Sequence, residues 1–129
     1  MYDVTVATPM TEGVLTVGSE ECTGDLVEAL VELEIKSVVV TDDENRPVGI
    51  LTSTDYLRML DDGVDPHETT VGERMTREVI TVRYDETVQR AATLMHDRGV
   101  SHLPVVDADG RAIGILSSTD LTAHLANAD

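Results

Sequence analysis

Apolar residues along this chain follow two periods, and each period occurs twice. Alternation predicts strands over Val14-Leu15-Thr16-Val17 and again over Val79-Ile80-Thr81-Val82. A helical stripe follows the second: Val88, Ala91, Ala92 and Met95 fall at i, i+3, i+4 and i+7, with Asp85 or Thr87 to cap its start and Gly99 to end it. After the first strand, Leu26, Val27, Leu30 and Leu33 make the matching stripe, but Glu34 stands where the terminating glycine would. A β-branched or apolar strand comes next, Val38-Val39-Val40 or Leu103-Pro104-Val105-Val106. A polar turn (Asp42 to Asn45, or Asp107 to Gly110) then leads into a strand through Gly49-Ile50-Leu51 or Gly114-Ile115-Leu116. Helices near 53–62 and 118–127 close each series, and residues 61–70, with Gly63 and Pro66, read as the connection.

The two series are copies of one another. GILTSTD at 49–55 returns as GILSSTD at 114–120, and PMTEGVLTV at 9–17 returns as RMTREVITV at 74–82. Both pairs share one offset, 114 − 49 = 65 and 74 − 9 = 65, so no insertion separates them. In that register residues 5–60 and 70–125 have about eighteen identities, several times what composition alone supplies. The fold class is therefore α/β (α+β): two tandem β-α-β-β-α repeats, 1–62 and 70–129, joined by a linker at 63–69. Each is too small to bury a good core by itself, so the pair is expected to pack face to face.

Composition narrows the class further. Apolar residues are 41% of the chain without any Phe or Trp, so the core must be aliphatic. The opening MYDVTV lacks the regions of a signal peptide, no apolar run approaches spanning length, and the single Cys22 cannot form an internal disulfide. A soluble cytoplasmic protein with no membrane association is the expectation. Asp and Glu total 25 against 9 Lys and Arg, for a net charge of −16, with the acids scattered along the whole length. Self-repulsion of this size weakens a small fold in dilute buffer and is relieved by salt, which reads as a halophile-type surface; a merely acidic mesophile protein is the alternative. Nucleic-acid binding is disfavoured, because no basic face exists to displace counterions.

Met-Thr ahead of the first strand, Leu-Pro-Val-Val-Asp at 103–107, and Gly-h-h-Ser/Thr-x-x-Asp (h apolar) at 49–55 and 114–120 resemble the cystathionine-β-synthase (CBS) domain. Two in tandem are similar to a Bateman module, and the resemblance covers almost the whole chain. It implies repeats related by pseudo-twofold symmetry, commonly a homodimer, and adenosine-containing ligands in the clefts between repeats.

Thr52-x-x-Asp55 and Ser117-x-x-Asp120 lie where a strand hands over to a helix. The spacing is that of a capping box, and capping alone accounts for it. The same geometry serves a nucleotide: a helix N-terminus offers free N–H donors to phosphate, and a carboxylate one turn on accepts both ribose hydroxyls. By resemblance, Thr52 and Ser117 contact phosphate, and Asp55 and Asp120 the ribose. Val14, Leu15, Val79 and Ile80 offer an apolar slot for the base, or simply core packing. His102 sits where the family often carries a phosphate-facing basic residue, though an exposed or core-edge histidine is the alternative, and Ser101 beside it is a further ligand-binding candidate. Gly114 and Gly49 suit either the ligand or a close backbone approach. Val39, Thr41 and Glu34 replace Pro104, Val106 and Gly99, so a site on Ser117 and Asp120 is better supported than one on Thr52 and Asp55.

With few cations to meet a triphosphate (Arg46, Arg58, Arg111 and His102), close-range repulsion costs about a kilocalorie per mole or more per pair. AMP, adenosine or cationic S-adenosylmethionine is expected to bind better than ATP, as a regulatory ligand and not a required cofactor. No catalytic constellation or metal-ligand spacing is apparent among His67, His96, His102, His124 and Cys22. The expected function is a sensor that signals to a separate effector protein. The alternative is a ligand-free interaction module, in which the caps are only caps. Either way the closing helices (Tyr56, Leu57, Leu60; Leu121, Leu125) need cover, which predicts a homodimer.

Overall fold

In the computed structural model residues 4–127 are described; positions 1–3 and 128–129, the outermost of the two expected repeats, lie outside them. The chain runs β1 (Thr11–Glu12), β2 (Thr16–Val17), α1 (Thr23–Glu32), β3 (Ser37–Thr41), β4 (Pro47–Thr52), α2 (Ser53–Asp61), a 3-10 turn (Pro66–Glu68) and α3 (Val71–Arg74). It continues with β5 (Val82–Arg83), α4 (Val88–Arg98), β6 (His102–Val106), β7 (Ala112–Ser117) and α5 (Ser118–Ala126). The class is α/β (α+β), with two sheets among the described residues.

Two compact units form, with the breaks falling between Val14 and Leu15 and between Val79 and Ile80. In the unit of residues 15–79, β3 lies between parallel β2 and antiparallel β4. Its core is Val17, Leu26, Val38, Val40, Leu51, Met59 and Val71. The other unit has the order β1-β7-β6-β5, with β6 parallel to β5 and antiparallel to β7. Its core is Val6, Val82, Ala91, Met95, Leu103, Val105 and Leu116. Every member is aliphatic, as a chain without Phe or Trp requires.

The opening segment of each copy crosses to the other copy's sheet. Val6 is fully buried among residues of the second copy, and its counterpart Val71 is fully buried among residues of the first. Thr11 pairs antiparallel with Ile115 on β7, and Thr76, 65 positions on, bridges Ile50 on β4. This crossing trims the expected strands. Val14 and Leu15 fall in different units, as do Val79 and Ile80, so regular strand is limited to Thr16–Val17 and Val82–Arg83. Leu15 still accepts the Val39 N–H at 3.1 Å, and both Leu15 and Ile80 pack against the edge of a core.

Repetition extends to irregularities. The β3–β4 ladder slips between Val40 and Thr41, and the β6–β7 ladder between Val105 and Val106. Each intervening turn is tied by an aspartate: Asp42 Oδ1 accepts from the N–H groups of Glu44 and Arg46 (both 2.9 Å), and Asp107 Oδ1 from those of Asp109 (2.9 Å) and Arg111 (3.0 Å). Those bonds hold both carboxyls below the ordinary aspartate value of 3.8, the backbone N–H of Arg46 or Arg111 being the main cause.

Helix α1 departs from its expected stripe. Leu26 is buried and Leu30 half-buried, but the helix ends at Glu32, which leaves Leu33 61% exposed beyond it and Val27 turned partly outward. The connection at 63–69 is ordered by hydrogen bonds to the start of α1: the Thr23 N–H donates to Thr69 O (2.9 Å) and its hydroxyl to Pro66 O (2.6 Å). No described helix is long and apolar enough to cross a membrane.

Candidate functional site

Each closing helix begins at the residue that ends the preceding strand. Ser117 is the N-cap of α5: its hydroxyl accepts the Asp120 N–H at 3.0 Å, and Asp120 Oδ2 accepts the Ser117 N–H at 2.9 Å. Thr52 is the N-cap of α2 in a second capping box, where Asp55 Oδ2 accepts both the Thr52 N–H (2.8 Å) and its hydroxyl (3.2 Å). The capping expectation holds for both motifs. It does not compete with a ligand for every atom, since a carboxylate has about four lone-pair sites and each box occupies only some of them.

The two boxes differ in access. Asp55 is 6% exposed, whereas Asp120 is half-buried. Around Asp120 the β7–α5 junction gathers several expected site residues. His102 lies opposite Ser117 across the β6–β7 ladder, and its Nδ1 is 3.2 Å from Ser101 Oγ. The Ser101 carbonyl accepts the Ser118 N–H at 2.9 Å, which fixes the start of α5 against the start of β6. Ser101 itself is exposed and His102 half-buried.

Thr11 was missing from the expected set. Its hydroxyl lies 3.4 Å from both carboxylate oxygens of Asp120. The signal was the repeated Met-Thr pair, which marks the segment that crosses to β7. Gly114 explains the approach: a Cβ there would stand 2.8 Å from Thr11 O and 3.1 Å from Met10 Sδ. Gly49 makes the same room for Met75, so close packing of the Met-Thr segment accounts for both glycines.

Thr52 and Asp55 lie in the unit of residues 15–79 together with Leu15 and Val79; Val14 and Ile80 belong to the unit that holds Ser117 and Asp120. Leu15 and Ile80 are half-buried against the two cores, and the Val79 N–H is bonded to Arg77 O at 3.0 Å. Arg46 pairs with Glu44 at 2.9 Å, leaving that cation partly neutralised by an exposed neighbour. A cavity of about 520 Å³ opens beside β2, but Glu20, Glu21, Asp42 and Asp43 line it and it includes neither Thr52 nor Asp55. Anions are repelled there.

Tyr56 does not face outward as expected. Its hydroxyl donates to Thr23 O at 2.7 Å, and burial, with a smaller contribution from the Cys22 sulfur, pushes its pKa up to about 12. Leu121 is also half-buried against a core. The large apolar residues left exposed on the closing helices are Leu57 (65%), Leu60 (70%) and Leu125 (66%).

Duplicated β-α-β-β-α units, each with a Ser/Thr-x-x-Asp box at the strand–helix junction that opens its closing helix, define a paired α/β module. The sequence matches the CBS domain over residues 3–62 and 71–127, and the chain belongs to that family. It is 33% identical over 122 residues to the uncharacterised protein MK0525 of Methanopyrus kandleri, covering 94% of this chain and 62% of that one. The chain spans less than two-thirds of the length of the curated relatives it matches first. Among solved structures it is similar to the CBS domain pair of protein MJ0100 in complex with 5′-methylthioadenosine and S-adenosyl-L-methionine. That likeness has a TM-score of 0.86 and 29% identity, over 95% of this chain and 96% of the other. It is also similar to CBSX2 in complex with AMP, at TM-score 0.79 and 30% identity over 95% and 96% of the two chains.

Proposed function

We propose that this chain is a regulatory CBS pair, not an enzyme, which binds an adenosine-containing ligand at its β7–α5 junction and passes the binding event to an effector protein. The observation that carries the reading is the half-buried Asp120, already aligned by the Ser117 N–H and reached by Thr11, at the N-terminus of a nine-residue helix. Its carboxylate suits two ribose hydroxyls, and the first N–H groups of α5 suit a phosphate or another electronegative group. Ser101 and His102 flank that position. The ligands present in the MJ0100 and CBSX2 structures share the adenosine moiety that such a carboxylate recognises.

Asp55, at 6% exposure, is less able to reach a ribose. One ligand per chain, at Asp120, is therefore the expected stoichiometry. A net charge of −16 favours S-adenosylmethionine, AMP or adenosine over ATP, and fits a high-salt cytoplasm in which the surface repulsion is screened. Ligand binding regulates only as far as the ligand's affinity differs between two states of the protein.

The test is calorimetric titration of AMP, ATP and S-adenosylmethionine in molar KCl. Asp120→Asn keeps an oxygen to accept the Ser117 N–H, so capping survives. Loss of the charged acceptor weakens binding by about 1–3 kcal/mol, roughly 5- to 150-fold, while Asp55→Asn has a much smaller effect. Unchanged affinity in Asp120→Asn overturns this site, and ATP binding more tightly than AMP without a divalent ion overturns the charge argument. Silence from all three ligands with a folded protein favours the second reading, a ligand-free module. In that reading the exposed apolar residues of each closing helix, Leu57 and Leu60 in one unit and Leu125 in the other, are what a homodimer covers.

A further inference from the structure

The ordered connection at 63–69 brings a histidine against the first turn of α1. Cys22 is the N-cap residue of that helix, and its side chain makes no capping hydrogen bond. Asp25 lies in the first turn, and His67 in the 3-10 turn Pro66–Glu68. Backbone interactions hold the two segments together independently of these side chains: Cys22 and Thr70 form an isolated antiparallel bridge, and the fully buried Thr23 is bonded to Pro66 O and Thr69 O. Gly24 completes the fit. A Cβ at that position would collide with the His67 imidazole, so the bare backbone makes room for the ring.

One ligand atom from each of Cys22, Asp25 and His67 lies within 4.8 Å of the other two. No other group of three or more His, Cys, Asp or Glu residues meets that condition among the described residues. We infer that this trio is a binding site for a borderline-soft divalent cation of the zinc type. The donor set decides the class. A thiolate and an imidazole select zinc or cobalt, whereas magnesium and calcium take all-oxygen sites. Zinc bonds of about 2.0–2.3 Å in a tetrahedron place donors roughly 3.3–3.8 Å apart, so no pair in the trio need close by more than about 1.5 Å. Asp25 and His67 are exposed and Cys22 is half-buried, which leaves their side chains free to rotate that far.

Binding releases one proton. Cys22 Sγ now lies 3.4 Å from both Pro66 O and His67 O; on metallation its S–H proton passes to solvent and a metal–sulfur bond replaces those contacts. Three protein ligands leave the fourth position to water or to a group from a ligand or partner. The trio also lies outside the repeat: Thr87 and Arg90 stand 65 residues after Cys22 and Asp25. This site therefore does not depend on the adenosine reading.

Cobalt(II) titration of the reduced, chelator-stripped chain tests it, in molar KCl with excess magnesium to occupy all-oxygen sites on the acidic surface. One equivalent should give a thiolate-to-cobalt charge-transfer band with tetrahedral ligand-field bands, and zinc should displace it. Cys22→Ser should abolish the charge-transfer band, and His67→Gln and Asp25→Asn should each weaken binding at least about tenfold, with unchanged metal-free melting. Gly24→Ala, which favours the helix but drives the ring aside, should also weaken binding without loss of fold. Absence of the charge-transfer band in the wild-type chain, or undiminished cobalt affinity in His67→Gln, overturns the site.

Discussion

Replacing Glu34 with glycine should stabilise this protein, by an amount that follows from one dihedral angle. Glu34 has φ of 54° and Gly99, its counterpart 65 residues on, has φ of 64°. Both residues follow a helix, and both chains then turn back: the Ile35 N–H reaches Leu30 O and the Val100 N–H reaches Met95 O, each at 3.1 Å. The left-handed region costs a residue with a Cβ about 1–2 kcal/mol. Glycine escapes that strain but loses about 0.5–1 kcal/mol more backbone entropy on folding. The exposed carboxylate also sits at the negative end of α1, where its removal returns a further ~0.3 kcal/mol. The sum is about 1 kcal/mol in favour of Glu34→Gly, or roughly 3–6 °C in Tm for a chain of this size. Calorimetric melting in molar KCl measures it, and urea unfolding should show a higher midpoint with the same m-value. Glu34→Gln isolates the charge and should recover only a few tenths of a kcal/mol. Gly99→Ala should cost about 0.5–1 kcal/mol from the backbone alone, the same strain less the same entropy difference, because an added Cβ there meets nothing within 4 Å. A Glu34→Gly variant no more stable than Glu34→Gln would refute the strain argument.

The turn aspartates set part of the acid limb. Because folding depresses the carboxyls of Asp42 and Asp107, their contribution is present above the ordinary value of 3.8 and is lost as pH falls through the folded values. Asn at both positions keeps an oxygen for the turn bonds, so the double variant should show a shallower loss of stability below about pH 4 by circular dichroism; an unchanged acid limb counts against it. Val6→Ala should cost about 2–3 kcal/mol and Val71→Ala a similar amount, since each is a fully buried valine in the other copy's core. Urea unfolding that finds Val6→Ala neutral would mean that the crossed segment contributes no core.

The repeat made most of the fold legible. Strands β3, β4, β6 and β7 and helices α2, α4 and α5 fall where period and capping residues place them, because each is specified by local pattern and by a neighbour close in sequence. The crossing of the Met-Thr segments was not legible. Val6 and Val71 are apolar residues in short segments without a period, and only contact with the other copy's sheet gives them a place. The same limitation hid Thr11 from the site, since its approach to Asp120 spans 109 residues of sequence. The caps were legible from four-residue spacing; the difference in burial between Asp55 and Asp120 was not, because it depends on what packs around each junction. Cys22 looked isolated for a related reason: its partner His67 lies 45 residues away, in a stretch whose Gly and Pro suggest only a connection.

Duplication supplies two copies of the capping box and of the helix-ending turn, and the two copies have diverged. A change that only preserves folding should fall on either copy with equal ease. The departures instead have direction. The second copy keeps the glycine at its left-handed helix end and the half-buried Asp120 beside Thr11, a hydroxyl contributed by the first copy's crossing segment. The first copy tolerates a strained Glu34 and buries Asp55 in its own cap. What the first copy gains is unduplicated: the ordered connection that sets His67 beside Cys22 and Asp25. One unit thus has the more accessible capping carboxylate and the other the mixed sulfur, nitrogen and oxygen donor set. On this argument Asp120→Asn should leave cobalt binding unchanged, and Cys22→Ser should leave any binding at Asp120 unchanged, each measured by titration in molar KCl.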